Sequence, residues 1–223
     1  MTTRNKKIRA GIPQGVISRL PIYYRSLSEL MRRDVGRVSS SQLGSALDLT
    51  AAQIRSDLSY FGSFGQHGYG YRVEELLQHI SHILGLDANY TMVLIGAGNL
   101  GRAIASYGNF RNRGFSLHAI FDNNPHLEGN FLADCIIQPI SKLEEFLEVN
   151  PTDIAILTTP RAASQEICDR LVSCGIKGIW NFSPLHLQVP DNVVVEHIHL
   201  TDSLLKLSFK LQEQSQQKAD SEK

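Results

Sequence analysis

Little in this sequence supports a secreted, membrane-bound or metal-dependent protein. Its 223 residues include only three cysteines, Cys135, Cys168 and Cys174, which form no Cys-x-x-Cys pair. Their odd number and scattered positions predict reduced structural thiols rather than a disulfide framework or a redox dithiol. No apolar run approaches the roughly 18–20 residues of a membrane span. The basic N-terminus, Met-Thr-Thr-Arg-Asn-Lys-Lys-Ile-Arg, is not followed by an apolar signal core, so we read a cytoplasmic chain with no membrane partner. His79 and His82 stand one helical turn apart without a third ligand nearby, and no metal site is expected. Net charge is also missing, at zero.

That zero conceals a division. Residues 1–72 hold eleven Lys and Arg against four Asp and Glu, a balance of +7, and residues 73–223 hold eleven against eighteen, a balance of −7. A basic head on an acidic body suggests a polyanionic partner for the head alone. Within the head, Val16, Ile17, Leu20, Tyr23, Tyr24, Leu27, Leu30 and Met31 recur at helical spacing, predicting a helix over about 12–33 that Pro21 should kink or divide. Ser39-Ser40-Ser41 offers caps for a short helix over 42–47. Thr50-Ala-Ala-Gln53 has the spacing of a capping box opening a second helix over 51–61. Two short helices joined by a tight turn read as helix-turn-helix. Ile54, Leu58 and Phe61 share the buried face of the second helix, leaving Gln53, Arg55, Ser56 and Ser59 for a DNA major groove. Gly68 then separates short β-compatible arms, a wing whose tip carries His67 and Tyr69.

From residue 90 onward strands and helices alternate, which argues for a doubly wound parallel sheet of the Rossmann type. The strands expected are 91–95, 115–121, 134–138, 153–157, 177–180 and 192–197. Thr91-Met-Val-Leu-Ile runs into Gly96-Ala97-Gly98-Asn99-Leu100-Gly101 and a helix. The three glycines serve a tight turn, backbone approach to a pyrophosphate, and close helix–strand packing. Asp122 follows Gly101 by 21 residues, at the end of the next strand, where an acid that binds the adenosine ribose should stand. A carboxylate there would repel a 2′-phosphate, so NAD(H) is favoured over NADP(H). Thr158-Thr159-Pro160 ends the fourth strand, placing it at the nicotinamide side of the crevice, and Tyr107 is a further candidate for that crevice.

After the sixth strand come a Leu-rich helix (Leu200, Leu204, Leu205, Leu207, Phe209, Leu211) and a polar tail. The substrate domain of a two-domain dehydrogenase has no place in such a layout. The apolar helix suits a partner subunit, and a dimer would match a palindromic DNA site. We therefore expect a DNA-binding regulator rather than an enzyme, the alternative being a small NAD-dependent oxidoreductase with a basic appendage. The expected domains are a winged helix over 1–85, a nucleotide domain over 86–200, and a dimerisation helix with tail over 201–223.

The chain resembles the Rex family of bacterial redox-sensing transcriptional repressors. The resemblance rests on Ile-Pro (12–13) and Ser-Arg-Leu-Pro-Ile-Tyr-Tyr-Arg (18–25), Thr-Ala-Ala-Gln-Ile-Arg (50–55), Asp-Leu-Ser-Tyr-Phe-Gly (57–62), Gly-Tyr-Gly-Tyr (68–71), the glycine turn, and Gly-Ile-Lys-Gly-Ile-Trp-Asn-Phe-Ser-Pro (175–184). It implies a homodimer with an exchanged C-terminal helix, binding a double-stranded, palindromic operator at a low NADH/NAD⁺ ratio and released by NADH. It adds Arg19, Thr50, Tyr60 and Gly68 to the DNA-contacting set. Three departures stand out. Ser56 replaces a Lys usual in the family, and His67 replaces a basic wing residue. Each cation lost should flatten the salt dependence of binding by about 0.9 per phosphate contact. His199 replaces an Asp that in the family pairs with an arginine, here Arg25. A neutral histidine cannot form that pair and a protonated one would repel it, so switching should be altered or pH-dependent, with Asp202 as a possible substitute.

Overall fold

The computed structural model describes residues 12–62, 64, 69–108 and 110–221, with side chains through 217, and divides into one unit ending at Ala88 and another beginning at Asn89. Among the described residues no helix is long and apolar enough to cross a membrane.

In the first unit the apolar stripe forms α1 (Gln14–Arg32), with Val16, Leu20, Tyr23 and Leu27 buried. Of the two outcomes expected at Pro21, division does not occur, and the helix continues for eleven residues beyond the proline. Asp34, at φ +57, ends the element. The strand β1 (Arg37–Val38) leads into α2 (Ser40–Leu47), which begins two residues earlier than expected because Ser39 and Gln42 close a reciprocal capping box. Asp48 then takes a left-handed conformation, φ +54, and turns the chain. That turn folds so tightly over α2 that a Cβ on Gly44 would stand 2.5 Å from the Leu49 carbonyl oxygen. Next is α3 (Ala51–Ser59), its Thr50 side chain accepting the Gln53 amide at 3.1 Å. The expected box is only half formed, because the Gln53 side chain donates to Asp57 instead of returning to Thr50.

Past the helix pair, β2 (Tyr71–Arg72) pairs antiparallel with β1, upstream of the helix-turn-helix. The sequence had suggested pairing across Gly68. The partner is Arg37–Val38, and residues 65–68 lie outside the described residues. The amphipathic α4 (Val73–Leu84) closes this core with Val73, Leu76 and Ile80, and Gly85 ends it in a left-handed cap.

The second unit is built on a seven-stranded sheet: β3 (Tyr90–Ile95), β4 (Phe115–Asp122), β5 (Phe131–Leu132), β6 (Cys135–Pro139), β7 (Ile154–Leu157), β8 (Gly178–Asn181) and β9 (Val194–His197). Its order is β5-β6-β4-β3-β7-β8-β9, parallel except for the β5 edge, so strand order reverses between β3 and β7. The six expected strands are all present within two residues. The seventh, β5, is an antiparallel strand of two residues, too short for any alternation to reveal. Alternation sends Val93, Ile95, Phe121 and Leu157 to one face, under α6 (Leu143–Val149) and α7 (Arg161–Ser173). Met92, Leu94, Ile120 and Ile156 face the other way, partly covered by α5 (Asn99–Ala105). Along β7, β8 and β9 that second face carries an apolar cavity of about 380 Å³ lined by Met92, Phe115, Ile154, Trp180 and Val194. Finally α8 (Leu200–Ser221) runs straight through the polar tail.

Candidate dinucleotide groove and DNA-facing helix

The glycine turn is shaped by close backbone contact. Gly96 sits at φ +100, and Thr158 Oγ1 donates to the carbonyls of Gly96 (2.7 Å) and Ile95 (3.1 Å). A Cβ at Gly101 would lie 1.9 Å from the Gly96 carbonyl oxygen, so nothing larger than glycine lets α5 approach β3. Gly98 differs. Its backbone is in the extended region and a Cβ there would meet nothing within 4 Å. Packing does not require that glycine, and the space beside it is open. Immediately after it α5 starts with no side-chain cap, so its first backbone amides have no side-chain acceptor, the arrangement that suits an anion.

Asp122, at the end of β4, accepts the Ala97 amide on Oδ2 at 2.6 Å and the Asn124 amide on Oδ1 at 2.7 Å. Each carboxylate oxygen keeps a second acceptor position, which suits a pair of ribose hydroxyls. Gly96, Gly98, Asp122, Thr158, Thr159 and Pro160 line one groove of about 500 Å³. It lies outside the carboxyl ends of the strands where their order reverses, the general ligand position of such sheets. The residues present therefore fit a dinucleotide.

Not every expected residue contributes alike. Ala97 is buried and gives its amide to Asp122, while Leu100 packs into the core and Asn99 is exposed on the first turn of α5. Thr159 is buried against Ser164 at 3.0 Å. Tyr107 does not reach this groove: half exposed, it packs edge-on against Phe110 and lines a separate cavity with Phe115, Asp134 and Cys135. The helix α5 ends at Ala105, two residues before the tyrosine. The groove also contains residues not singled out from sequence. Leu127, Ile140 and Ile167 give it apolar walls, and Asn123 and Asn124 extend its Asp122 side. Arg170 lines it while its Nε and Nη2 hold Glu144 at 2.5 and 2.9 Å, which keeps the Glu144 carboxyl below the usual range. Asn123, Asn124 and Ile140 follow strand ends and were findable by that rule; Glu166 and Arg170, far along α7, carried no such signal.

On the head, Thr50, Arg55, Ser56, Ser59 and Tyr60 are exposed along α3 and its ends. Arg55 reaches the Ser40 hydroxyl at 3.1 Å, bridging the two helices of the motif. Tyr69 is exposed, and its carbonyl accepts from Arg37; His67 and Gly68 lie outside the described residues. Arg19 and Gln53 are not free side chains, since both donate to the buried carboxylate of Asp57.

Arg25 is exposed on α1 in the first unit, and His199 and Asp202 are exposed at the start of α8 in the second. His199 belongs to a stack. The His186 and His197 rings lie 4.3 Å apart at 17°, and His197 and His199 lie 6.3 Å apart at 6°. Asn181 Nδ2 donates to His197 Nδ1 at 3.0 Å. The Asn181 amide cannot reverse, because its Oδ1 accepts the Ser183 amide and its Nδ2 also donates to the Leu185 carbonyl. His197 is thereby held neutral, with burial and then His186 and His199 lowering its pKa.

Comparison with known proteins agrees with this layout. The CoA binding domain family, a Rossmann-like nucleotide-binding fold, matches residues 87–185, and a family described as "Putative DNA-binding protein N-terminus" matches residues 11–59. A redox-sensing transcriptional repressor Rex from Caldanaerobacter subterraneus subsp. tengcongensis is 51% identical over 203 residues, 91% of each chain. Another from Clostridium perfringens strain SM101 is 48% identical over 91% of this chain and 96% of its own. Among solved structures, that of RSP with β-NADH superposes with a TM-score of 0.87 at 46% identity, covering 94% of this chain and 98% of that one. RSP with β-NAD⁺ and operator DNA gives 0.86 at 48%, covering 95% and 98%.

Proposed function

The chain belongs to the Rex family of redox-sensing transcriptional repressors, and from that membership we propose how its own residues carry the function. It is a DNA-binding transcriptional repressor that senses the NADH/NAD⁺ ratio, and it is not an enzyme. The observation that carries the residue assignment is the open side of Gly98 within a groove that also holds Asp122, in a chain whose other unit is a helix-turn-helix.

In this reading the turn from Gly96 to Gly101 and the first amides of α5 hold the pyrophosphate, with Ala97 acting through its bond to Asp122. Asp122 takes the adenosine ribose, and Thr158, Thr159 and Pro160 shape the nicotinamide end. The bound dinucleotide supplies a change of charge and shape as a signal. The DNA face comprises Thr50, Arg55, Ser56, Ser59 and Tyr60 of the helix pair with the wing residues His67, Gly68 and Tyr69, and Arg19 and Gln53 act from beside Asp57. Switching is assigned to Arg25 on the first unit and, separately, to His199 and Asp202 at the start of α8. We also place the protein as a homodimer exchanging α8. Six large apolar side chains of that helix are half or more exposed, and their burial is worth on the order of 10 kcal/mol. The uncovered apolar cavity on the sheet is the matching surface.

Calorimetric titration with NADH and NADPH, followed by absorbance of the bound cofactor over a panel of carbonyl substrates, tests this reading. NADH binds more tightly than NADPH and is not consumed. Steady oxidation of NADH by any substrate contradicts it.

A further inference from the structure

A charge is buried in the DNA-reading helix where a helix of this size ordinarily keeps only apolar side chains. Asp57 lies in the last turn of α3 and is 1% exposed. Its carboxylate is fully engaged. Oδ2 accepts from Arg19 Nε at 2.6 Å and from the Tyr23 hydroxyl at 2.5 Å, and Oδ1 accepts from Arg19 Nη2 at 2.8 Å and from Gln53 Nε2 at 2.6 Å. Burial alone would push this carboxyl up, but the bonds from Arg19, Tyr23 and Gln53 outweigh it and keep it ionised. Two donors come from α1 and one from the first turn of α3, so a single carboxylate fixes the angle between the helices and the direction of two polar side chains. Arg19, a quarter exposed, spends its Nε and Nη2 on Asp57 and keeps Nη1 apart, beside Gly15. Gln53 is held by its nitrogen, which leaves its oxygen as the remaining acceptor.

We propose that Asp57 is a positioning residue for operator recognition: it orients Arg19 and Gln53 and locks α3 on α1, so the exposed Arg55, Ser56 and Ser59 meet the base edges in one register. This rests on the DNA-binding reading above. A buried ion pair is a weak source of stability compared with an apolar replacement, which makes a specificity role the more economical account of its presence.

The test compares binding of the full chain to the operator duplex solved with RSP and to a scrambled duplex of equal length, at several salt concentrations. Tyr23→Phe removes one bond and leaves the ion pair, while Arg19→Lys keeps the charge and loses the two-pronged geometry. Both variants lower the operator-to-scrambled affinity ratio, Arg19→Lys by about tenfold, the scale of one mismatched base pair. NADH affinity stays as in the natural chain for both variants, and scrambled-DNA affinity stays as in the natural chain for Tyr23→Phe. Asp57→Asn gives the same or a larger loss, and Asp57→Glu restores part of it. Folded Tyr23→Phe and Arg19→Lys chains with an unchanged ratio overturn the proposal, even if Asp57→Asn fails to fold. A purely structural role shifts melting temperature and leaves the ratio of the folded variants intact. If the natural chain shows no preference for the operator, the functional reading itself fails.

Discussion

The Asp122 carboxylate accepts the Ala97 amide at 2.6 Å, so the acid at the end of β4 also fixes the glycine turn at the end of β3. In the proposed assignment this bond joins the residue for the ribose to the turn for the pyrophosphate. Asp122→Asn presents a nitrogen to one of two backbone donors and removes the charge that excludes a 2′-phosphate. NADH affinity falls by about tenfold or more, the cost of a lost charged hydrogen bond, while NADPH loses less or gains. Calorimetry with both cofactors measures this, and an unchanged NADH/NADPH ratio would count against the assignment.

The glycines separate folding from binding. A methyl at Gly98 meets nothing in the protein, so Gly98→Ala leaves the melting temperature close to that of the natural chain, within about 0.5 kcal/mol. It occupies the open side assigned to the ligand, however, and weakens NADH binding by about tenfold or more. At Gly101 the methyl collides with the Gly96 carbonyl, and Gly101→Ala costs about 1–3 kcal/mol or more of stability. Thermal melts with and without NADH distinguish the two sites, and a destabilised Gly98→Ala apoprotein would contradict the open side of Gly98.

The histidine stack makes stability depend on pH. His197 titrates below its ordinary value of 6.5 when folded. Above about 6.5 both states are neutral and the group contributes nothing to the pH slope. As pH falls through about 6.5 the unfolded chain takes up a proton that the folded chain refuses, so stability drops until the lowered folded value is passed. Melting temperature should fall as pH drops below about 6.5, and His197→Gln should shrink that fall. The Asn181 amide, fixed by Ser183 and Leu185, is the reason a protonated ring has no place there. An identical pH profile in the variant would remove His197 from the account.

Much of this was legible in the sequence because it is local. Apolar runs gave six strands, Ser39 and Thr50 gave two helix starts, and the 21-residue step from Gly101 to Asp122 located both halves of the groove. The rest depends on contacts between distant positions. Gln53 looked like a capping partner for Thr50 until Asp57 offered a buried carboxylate one turn away. Tyr71 and Arg72 found their strand partners 33 and 35 residues upstream, beyond the helix pair, because the core closes there. Arg170 enters the groove only because α7 packs beside Glu144, which spacing alone does not state. The continuity of α1 through Pro21 likewise follows from Leu20, Tyr23 and Leu27 all being buried in one core, which outweighs the lost backbone bond.

The exposed apolar face of α8 should require a second copy of the chain. Leu204→Glu combined with Leu207→Glu places charges in that face. Sedimentation should show a monomer that still binds NADH and no longer binds the palindromic operator. A double variant that remains dimeric would move the interface elsewhere.

The account stands or falls on what NADH does to the protein–DNA complex. Anisotropy of a labelled operator duplex, the one solved with RSP, is titrated with the protein at low salt and near-neutral pH, first with NAD⁺ and then with increasing NADH. The account predicts a complex that persists in NAD⁺ and dissociates as the NADH/NAD⁺ ratio rises. A complex equally tight in both cofactors, or none at all, would contradict it.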